Sequence, residues 1–326
     1  MSKLTFSSKK KRSKTKLTFS SNNKCSKSKI LVLLTICIIG FVGIKTTSLT
    51  INYANLKKEE IELQKRAKEI MLEEEKEIEQ KELKERLKEE QKIVGIKDDF
   101  KEFSYDAKII QRKVNTNDFY NNGEKIVFLT FDDGTSTTVT PRVLDTLKEH
   151  DVKATFFLTG MNILKHEEAS RNLVNRIFDE GHAIGNHSFT HDYSFLYPDG
   201  VFDLDNFKED FGMMDNLLNE ILGENFETRI VRMPGGAMSW QGMDILYSYL
   251  EENNMASIDW NALIRDAEGH RKNAPELFKN AVDTSKGKEM VVLLMHDMYG
   301  KEETANALDD IIRYYKDMGY EFKTLS

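Results

Sequence analysis

Four short segments of this 326-residue chain carry side chains whose types and spacing can do chemistry together. They are Thr130-Phe131-Asp132-Asp133-Gly134, His187-Ser188-Phe189-Thr190-His191, Arg232-Met233-Pro234-Gly235-Gly236 and Leu294-Met295-His296-Asp297. His187 and His191 stand four apart, a spacing that on a helical turn places two imidazoles on one ion. Asp132 and Asp133 follow an apolar strand. Successive strand residues point to different sides, so one carboxylate can ligate a metal while its neighbour faces water. This predicts Asp133, His187 and His191 as metal ligands and Asp132 as general base. Two His and one Asp leave an open position on Zn²⁺, the expected ion, and Co²⁺, Ni²⁺ or Mn²⁺ accept the same donors. Such an ion acidifies water and polarises a carbonyl, and a nearby carboxylate can take the water's proton.

The other two segments complete the kit. Collapse of a tetrahedral intermediate needs a proton for the departing amine, and His296 is its expected donor. Gly235 and Gly236 let the backbone approach a ligand, so that a peptide N–H supports the oxyanion. Arg232 is expected to pair with Asp132 and hold it ionised. Taken singly, each feature has a plainer reading: paired surface histidines, an Asp-Asp-Gly turn, a packing histidine, a turn after a strand.

What joins them is the element pattern. From Lys125 onward, apolar runs of strand length alternate with amphipathic helical stretches. Expected strands are Lys125–Phe131, Lys153–Leu158, His182–Asn186, Thr228–Arg232, Ala256–Asp259, Met290–His296 and Phe322–Leu325, with helices between them. Repeated βα units imply an α/β domain on a parallel sheet, open or closed into a barrel. Asp132, His187, Arg232 and His296 all fall at or just after strand ends, which in such architectures converge on one face.

The N-terminal third is organised differently. Residues 1–29 carry ten Lys or Arg and no acid, so with −7 overall the remaining chain must carry −17. The bland reading of this leader, in which Lys3-Leu4-Thr5-Phe6-Ser7-Ser8 recurs from Lys16, is a basic cytoplasmic tail against anionic lipid. Residues 30–51 are expected to form a transmembrane signal-anchor. The charge asymmetry predicts a single-pass protein of the cell membrane with its N-terminus cytoplasmic and its catalytic domain extracellular. A cleaved signal peptide is the rival, and Lys45-Thr46-Thr47-Ser48-Leu49 matches a cleavage site poorly. Residues 52–93, almost all Glu, Lys, Gln, Leu and Ile, are expected to form a charged helical stalk. Leu56, Leu63 and Ile70 repeat by sevens, but Glu77 breaks the pattern. A single helix therefore fits as well as a coiled coil, and oligomerisation through the stalk stays open. Residues 94–124 are read as a connector to the domain at 125–326. Cys25 and Cys37 both precede the exported part, which therefore holds no disulfide. That part lacks a basic patch with interleaved aromatics, which argues against nucleic acid.

Over residues 125–326 the set and order of these motifs resembles the polysaccharide deacetylases of carbohydrate esterase family 4, the NodB-homology group. The resemblance implies a distorted (β/α) barrel, a divalent metal and removal of N-acetyl or O-acetyl groups from sugar polymers. By position it supports Asp132 as base, Asp133, His187 and His191 as ligands, Arg232 as the base's partner and His296 as acid. There are departures. Gly235 stands where the family often has an aromatic residue, which keeps a backbone donor but loses an aromatic wall. Leu263-Ile264-Arg265-Asp266-Ala267 keeps only the second Asp of a motif that commonly reads Asp-x-x-Asp-Trp. Asp266 is thus a candidate site residue, while the carboxylate said to tune the acid and a groove tryptophan look missing. Trp260 is expected to pack rather than stack on sugar. The substrate expected is peptidoglycan N-acetylglucosamine; the rivals are chitin oligomers, xylan acetate, muramic acid, an exopolysaccharide, or a silent glycan-binding role.

Overall fold

The computed structural model describes residues 49–326. Its strands are Ile93–Val94 (β1), Ser104–Tyr105 (β2), Ile126–Gly134 (β3), Thr155–Leu158 (β4), Ala183–Asn186 (β5), Phe226–Glu227 (β6), Ile230–Val231 (β7), Ala256–Ser257 (β8), Ala262–Leu263 (β9), Met290–His296 (β10), Glu321–Phe322 (β11) and Thr324–Leu325 (β12). The two long apolar runs, β3 and β10, pair in parallel along their whole overlap, from Ile126 opposite Met290 to Asp132 opposite His296. From this centre the parallel sheet runs β8-β7-β5-β4-β3-β10-β9, with β11 also paired to the start of β3.

This sheet has to curl. Laid flat, seven strands about 4.8 Å apart would separate its edges by about 29 Å. Yet β8 at one edge and β9 at the other are joined by residues 258–261 alone, and five residue steps reach at most about 18 Å. The edges are drawn together, and the sheet becomes a half-barrel bridged by that short segment. The expected (β/α) barrel is therefore present in an open, distorted form.

Alternation along the strands separates two layers. Val127, Leu129 and Phe131 of β3 join the core made with the helices Thr140–Glu149, Glu167–Asp179 and Glu302–Asp317, in which Val143, Leu144, Leu147, Ile177, Leu308 and Ile312 are buried. Ile126 and Phe128 face the other way, against Phe157, Ile230, Ile258 and Val292 inside the curl. Continuing that inward row toward the strand ends gives Thr130 and then Asp132; on β10 it gives Leu294 and then His296. The interior is apolar at one end and reactive at the other because two residues make one step along a face.

Residues 94–124, read as a connector, carry structure of their own. β1 pairs with β6 and β2 with β12, and the helix Ala107–Asn115 buries Ala107 and Ile110 with Leu325 against the apolar end of the interior. Lys88–Ser326 accordingly forms one compact unit. The stalk appears as one helix, Leu49–Glu90, about 60 Å long at 1.5 Å per residue; Leu56, Leu63 and Ile70 are exposed on it. No helix among the described residues is long and apolar enough to cross a membrane. The basic tail at 1–29 and the expected anchor as far as residue 48 lie outside the described residues.

Candidate active site

At the carboxyl end of β3 the Asp132 carboxylate is almost completely buried and accepts a 2.7 Å hydrogen bond from Arg232 Nη1. The same nitrogen donates to Thr130 Oγ1, and Nε donates to the Ile258 carbonyl. Phe157 lies under the guanidinium, 4.2 Å from ring centroid to Cζ. Arg232 is thus fixed from below and does not line the cavity. Burial raises the Asp132 pKa above the usual carboxylate range, while the charges of Arg232 and His296 pull it back. The outcome is a carboxylate more basic than one in water.

The expectation that Asp132 and Asp133 point to opposite sides is overturned. The register between β3 and β4 shifts between Asp132 and Gly134, and Asp133 has φ of 64°. This bulge turns Asp133 around, because an extra residue in a strand breaks the alternation. Both carboxylates then face one cavity. His187 Nε2 lies 3.7 Å from an oxygen of each, and His191 Nε2 lies 3.4 Å from Asp133 Oδ1.

The two histidines do not sit on a helical turn either. They lie in the loop after β5, where Ser188 and His191 both adopt positive φ. His191 N–H donates to Ser188 Oγ, and the N–H groups of Phe189 and Thr190 both donate to the Asp210 carboxylate. Asp210, on the helix Leu204–Leu222, is buried and went unnoticed in the sequence. A signal existed: Phe207, Phe211 and Met214 mark that helix's inner face, and Asp210 falls on it. Asn186 supports the same loop by accepting from Ser188 N–H while donating to Asp215.

These donors suit a cation. His187 Nδ1 lies 2.6 Å from the Arg232 carbonyl, which can only accept, so Nδ1 carries the proton and Nε2 keeps its lone pair. Burial lowers the His187 pKa to about 3, keeping the ring neutral. One ligand atom from each of Asp133, His187 and His191 lies within 4.8 Å of the others. Two donors about 2.1 Å from a tetrahedral ion stand about 3.4 Å apart, close to the separations here.

Across the cavity, His296 Nδ1 is 2.9 Å from Asp266 Oδ1 and its N–H donates to Asp266 Oδ2, which also accepts from Thr304. Burial alone would lower the His296 pKa, but the Asp266 hydrogen bond and charge override it and raise the pKa to about 9. Burial likewise opposes ionisation of Asp266, and His296 outweighs it, so the Asp266 pKa is lowered. The apparent loss of a carboxylate tuning the acid is thereby corrected: Asp266 fills that place.

A cavity of about 260 Å³ brings together Asp132, Asp133, His187, His191, Gly235, Asp266 and His296. Gly236 N–H is spent on the Met233 carbonyl, whereas Gly235 N–H has no partner among the described residues. Trp260 borders the cavity but packs over Gly236 and beside Arg232, as expected of a packing residue. Groups able to donate a proton, to accept one and to hold a cation gather at the mouth of a parallel sheet, the equipment of a hydrolase.

Residues 120–248 match the family model described as polysaccharide deacetylase. The peptidoglycan-N-acetylglucosamine deacetylase of Bacillus cereus (strain ATCC 14579) is 32% identical over 228 residues, 68% of this chain and 76% of that protein. The peptidoglycan-N-acetylmuramic acid deacetylase of Bacillus subtilis (strain 168) is 32% identical over 215 residues, 63% of this chain and 72% of the relative. Among solved structures, a CE4 esterase of Streptococcus mutans superposes with a TM-score of 0.65 at 36% identity, covering 72% of this chain and 96% of its own. The chain belongs to the polysaccharide deacetylase family, whose members are metal-dependent.

Proposed function

We propose that this protein removes N-acetyl groups from peptidoglycan N-acetylglucosamine with a divalent cation held by Asp133, His187 and His191. The observation that carries the reading is that Asp132, bonded to Arg232, and His296, bonded to Asp266, stand in register at the ends of the neighbouring strands β3 and β10 and face one cavity. A cation at the triad supplies Lewis acidity toward a water and an acetyl carbonyl, with Zn²⁺ the leading candidate and Co²⁺, Ni²⁺ and Mn²⁺ sharing its donor preferences here. Asp132 accepts the proton of the attacking water. Gly235 N–H donates to the oxygen that gains charge as the carbonyl carbon becomes tetrahedral. His296, protonated at neutral pH, gives its proton to the glycan nitrogen as the C–N bond breaks, leaving acetate and a free amine. Arg232 orients Asp132, and Asp266 orients His296.

The substrate assignment is supported by the names of the Bacillus cereus relatives, and the Bacillus subtilis relative keeps muramic acid as a second reading. The basic leader and the apolar stretch at 30–51 support an outward-facing, membrane-anchored enzyme.

Acetate release from purified peptidoglycan by the full chain tests the reading, with and without chelator, after restoring Zn²⁺ or Co²⁺, and with Asp132→Asn. Chelator-sensitive, metal-restored release that falls by about 10²-fold or more in the variant is expected. Release only from chitin oligomers, xylan or muramic acid moves the substrate. Silence on every acetylated glycan, with metal bound, would leave a glycan-binding protein.

A further inference from the structure

Gly235 leaves the cavity wall bare, and two aromatic rings from elsewhere in the chain stand over the gap. A methyl group placed on Gly235 would lie 3.4 Å from Trp240 Cζ2 and 3.4 Å from Tyr193 Cε1. Tyr193 lines the cavity, is 45% exposed, and holds its ring centroid 5.3 Å from that of His191. Its ring centroid also lies 5.4 Å from that of Trp240. Trp240 in turn stacks at 4.0 Å and 10° on the buried ring of Tyr197. Both anchors are tied to one atom, because Trp240 Nε1 and Tyr197 Oη each donate to the Pro234 carbonyl. Asp192 caps the helical turn that begins at Tyr193, accepting from the N–H groups of Ser194 and Phe195.

Tyr193 is therefore a large ring that is half in solvent yet backed on one side. Ordinary packing does not require a tyrosine left this open beside two carboxylates and two imidazoles. A rigid aromatic face presents apolar area at little cost in side-chain entropy. A pyranose is the matching shape: its C–H groups form an apolar face, and its hydroxyls and acetamido group project from the edge. We propose that Tyr193, backed by Trp240, is the glycan-stacking face of this site, taking the sugar whose acetyl group reaches Asp132 and His296. The proposal rests on the deacetylase reading above and assigns the wall that Gly235 lacks to the loop after the second metal histidine.

The test compares the full chain with Tyr193→Ala, Tyr193→Phe and Tyr193→Leu. Three quantities are read: KM and kcat for acetate release from a soluble peptidoglycan glycan-strand fragment, and calorimetric binding of its deacetylated product, which is not turned over. Stacking contributes equally to bound substrate and transition state, so its loss appears in KM. Tyr193→Ala is expected to raise KM and product Kd about tenfold, which is about 1.4 kcal/mol, with kcat nearly unchanged. Tyr193→Phe should stay near the parent because it keeps the ring, and Tyr193→Leu should follow the alanine variant because it keeps only bulk. If circular dichroism shows the alanine variant unfolded, the leucine variant answers in its place. Unchanged KM in the ring-less variants, a loss confined to kcat, or a phenylalanine variant as impaired as alanine each overturns the proposal. A parent chain that releases no acetate from any glycan removes the deacetylase reading, and the stacking face with it, before any variant is compared.

Discussion

Replacing Asp266 by Asn keeps an oxygen beside His296 Nδ1 but removes the charge that holds the imidazolium. In the parent protein that partner raises the His296 pKa from 6.5 to about 9 against the lowering effect of burial. The difference is worth about 3 kcal/mol at 1.36 kcal/mol per unit. Because the folded-state value is raised, the stabilisation is fully present below pH 6.5 and is lost as pH climbs through about 9. Asp266 is shifted down, so its share is present above its ordinary 3.8 and is lost as pH falls below that value. Parent and Asp266→Asn should therefore differ most between about pH 4 and 6.5, by about 3 kcal/mol. A domain of this size loses about 2–4 °C per kcal/mol, so the melting temperature should drop by roughly 6–12 °C. Activity should move with it. If His296 acts as the acid, kcat/KM for acetate release in the parent falls on an alkaline limb near pH 9. In the variant, which keeps the burial but loses the largest group opposing it, that limb moves to lower pH. The assay is a pH profile of acetate release beside thermal unfolding across the same pH range. An alkaline limb at the same pH in both proteins refutes the reasoning, whatever happens to the maximal rate.

Two further outcomes follow from the geometry. Asp210→Ala frees the N–H groups of Phe189 and Thr190, so the loop carrying His187 and His191 loses its tether. Metal affinity, read by competition with a fluorescent chelator, should weaken about 10–100-fold, the usual cost of losing support around a ligand. Gly236→Ala places a methyl 2.8 Å from Trp260 Cη2 at a backbone with φ of 81° and ψ of 141°. That region is nearly closed to L residues, and a loss of about 1–3 kcal/mol is expected in chemical denaturation.

Much of this was legible in the residues, for identifiable reasons. β3 and β10 are buried on both faces, so they read as uninterrupted apolar runs whose ends had to meet. The motifs at those ends converge as expected. What escaped was written in backbone conformation and long-range pairing. The bulge at Asp133 leaves no mark in composition, since Asp is common in turns, yet it alone makes the two carboxylates neighbours. His187 and His191 have helical spacing but reach one another through positive φ at Ser188 and His191. Ile110 looks like a stray apolar residue in a polar stretch, because Ile230, Ile258, Val292 and Leu325, which share its cluster, lie more than a hundred residues away. Asp266 was found, but its partnership with His296 needed the β9–β10 pairing, and a two-residue strand has too little pattern to announce itself.

The pairing of β2 with β12 has a consequence for how the protein is made. Synthesis delivers Ser104 and Tyr105 some two hundred residues before Thr324 and Leu325, their partners. β3, the central strand, likewise waits for β10 and for β11. N-terminal segments usually fold first as a chain emerges, but here β2 has no strand partner until Thr324 and Leu325 have been made. The domain is closed by β11 and β12. Its strand pairing is therefore incomplete until those residues are made, and removing residues 321–326 would strip partners from β2 and β3 at one stroke.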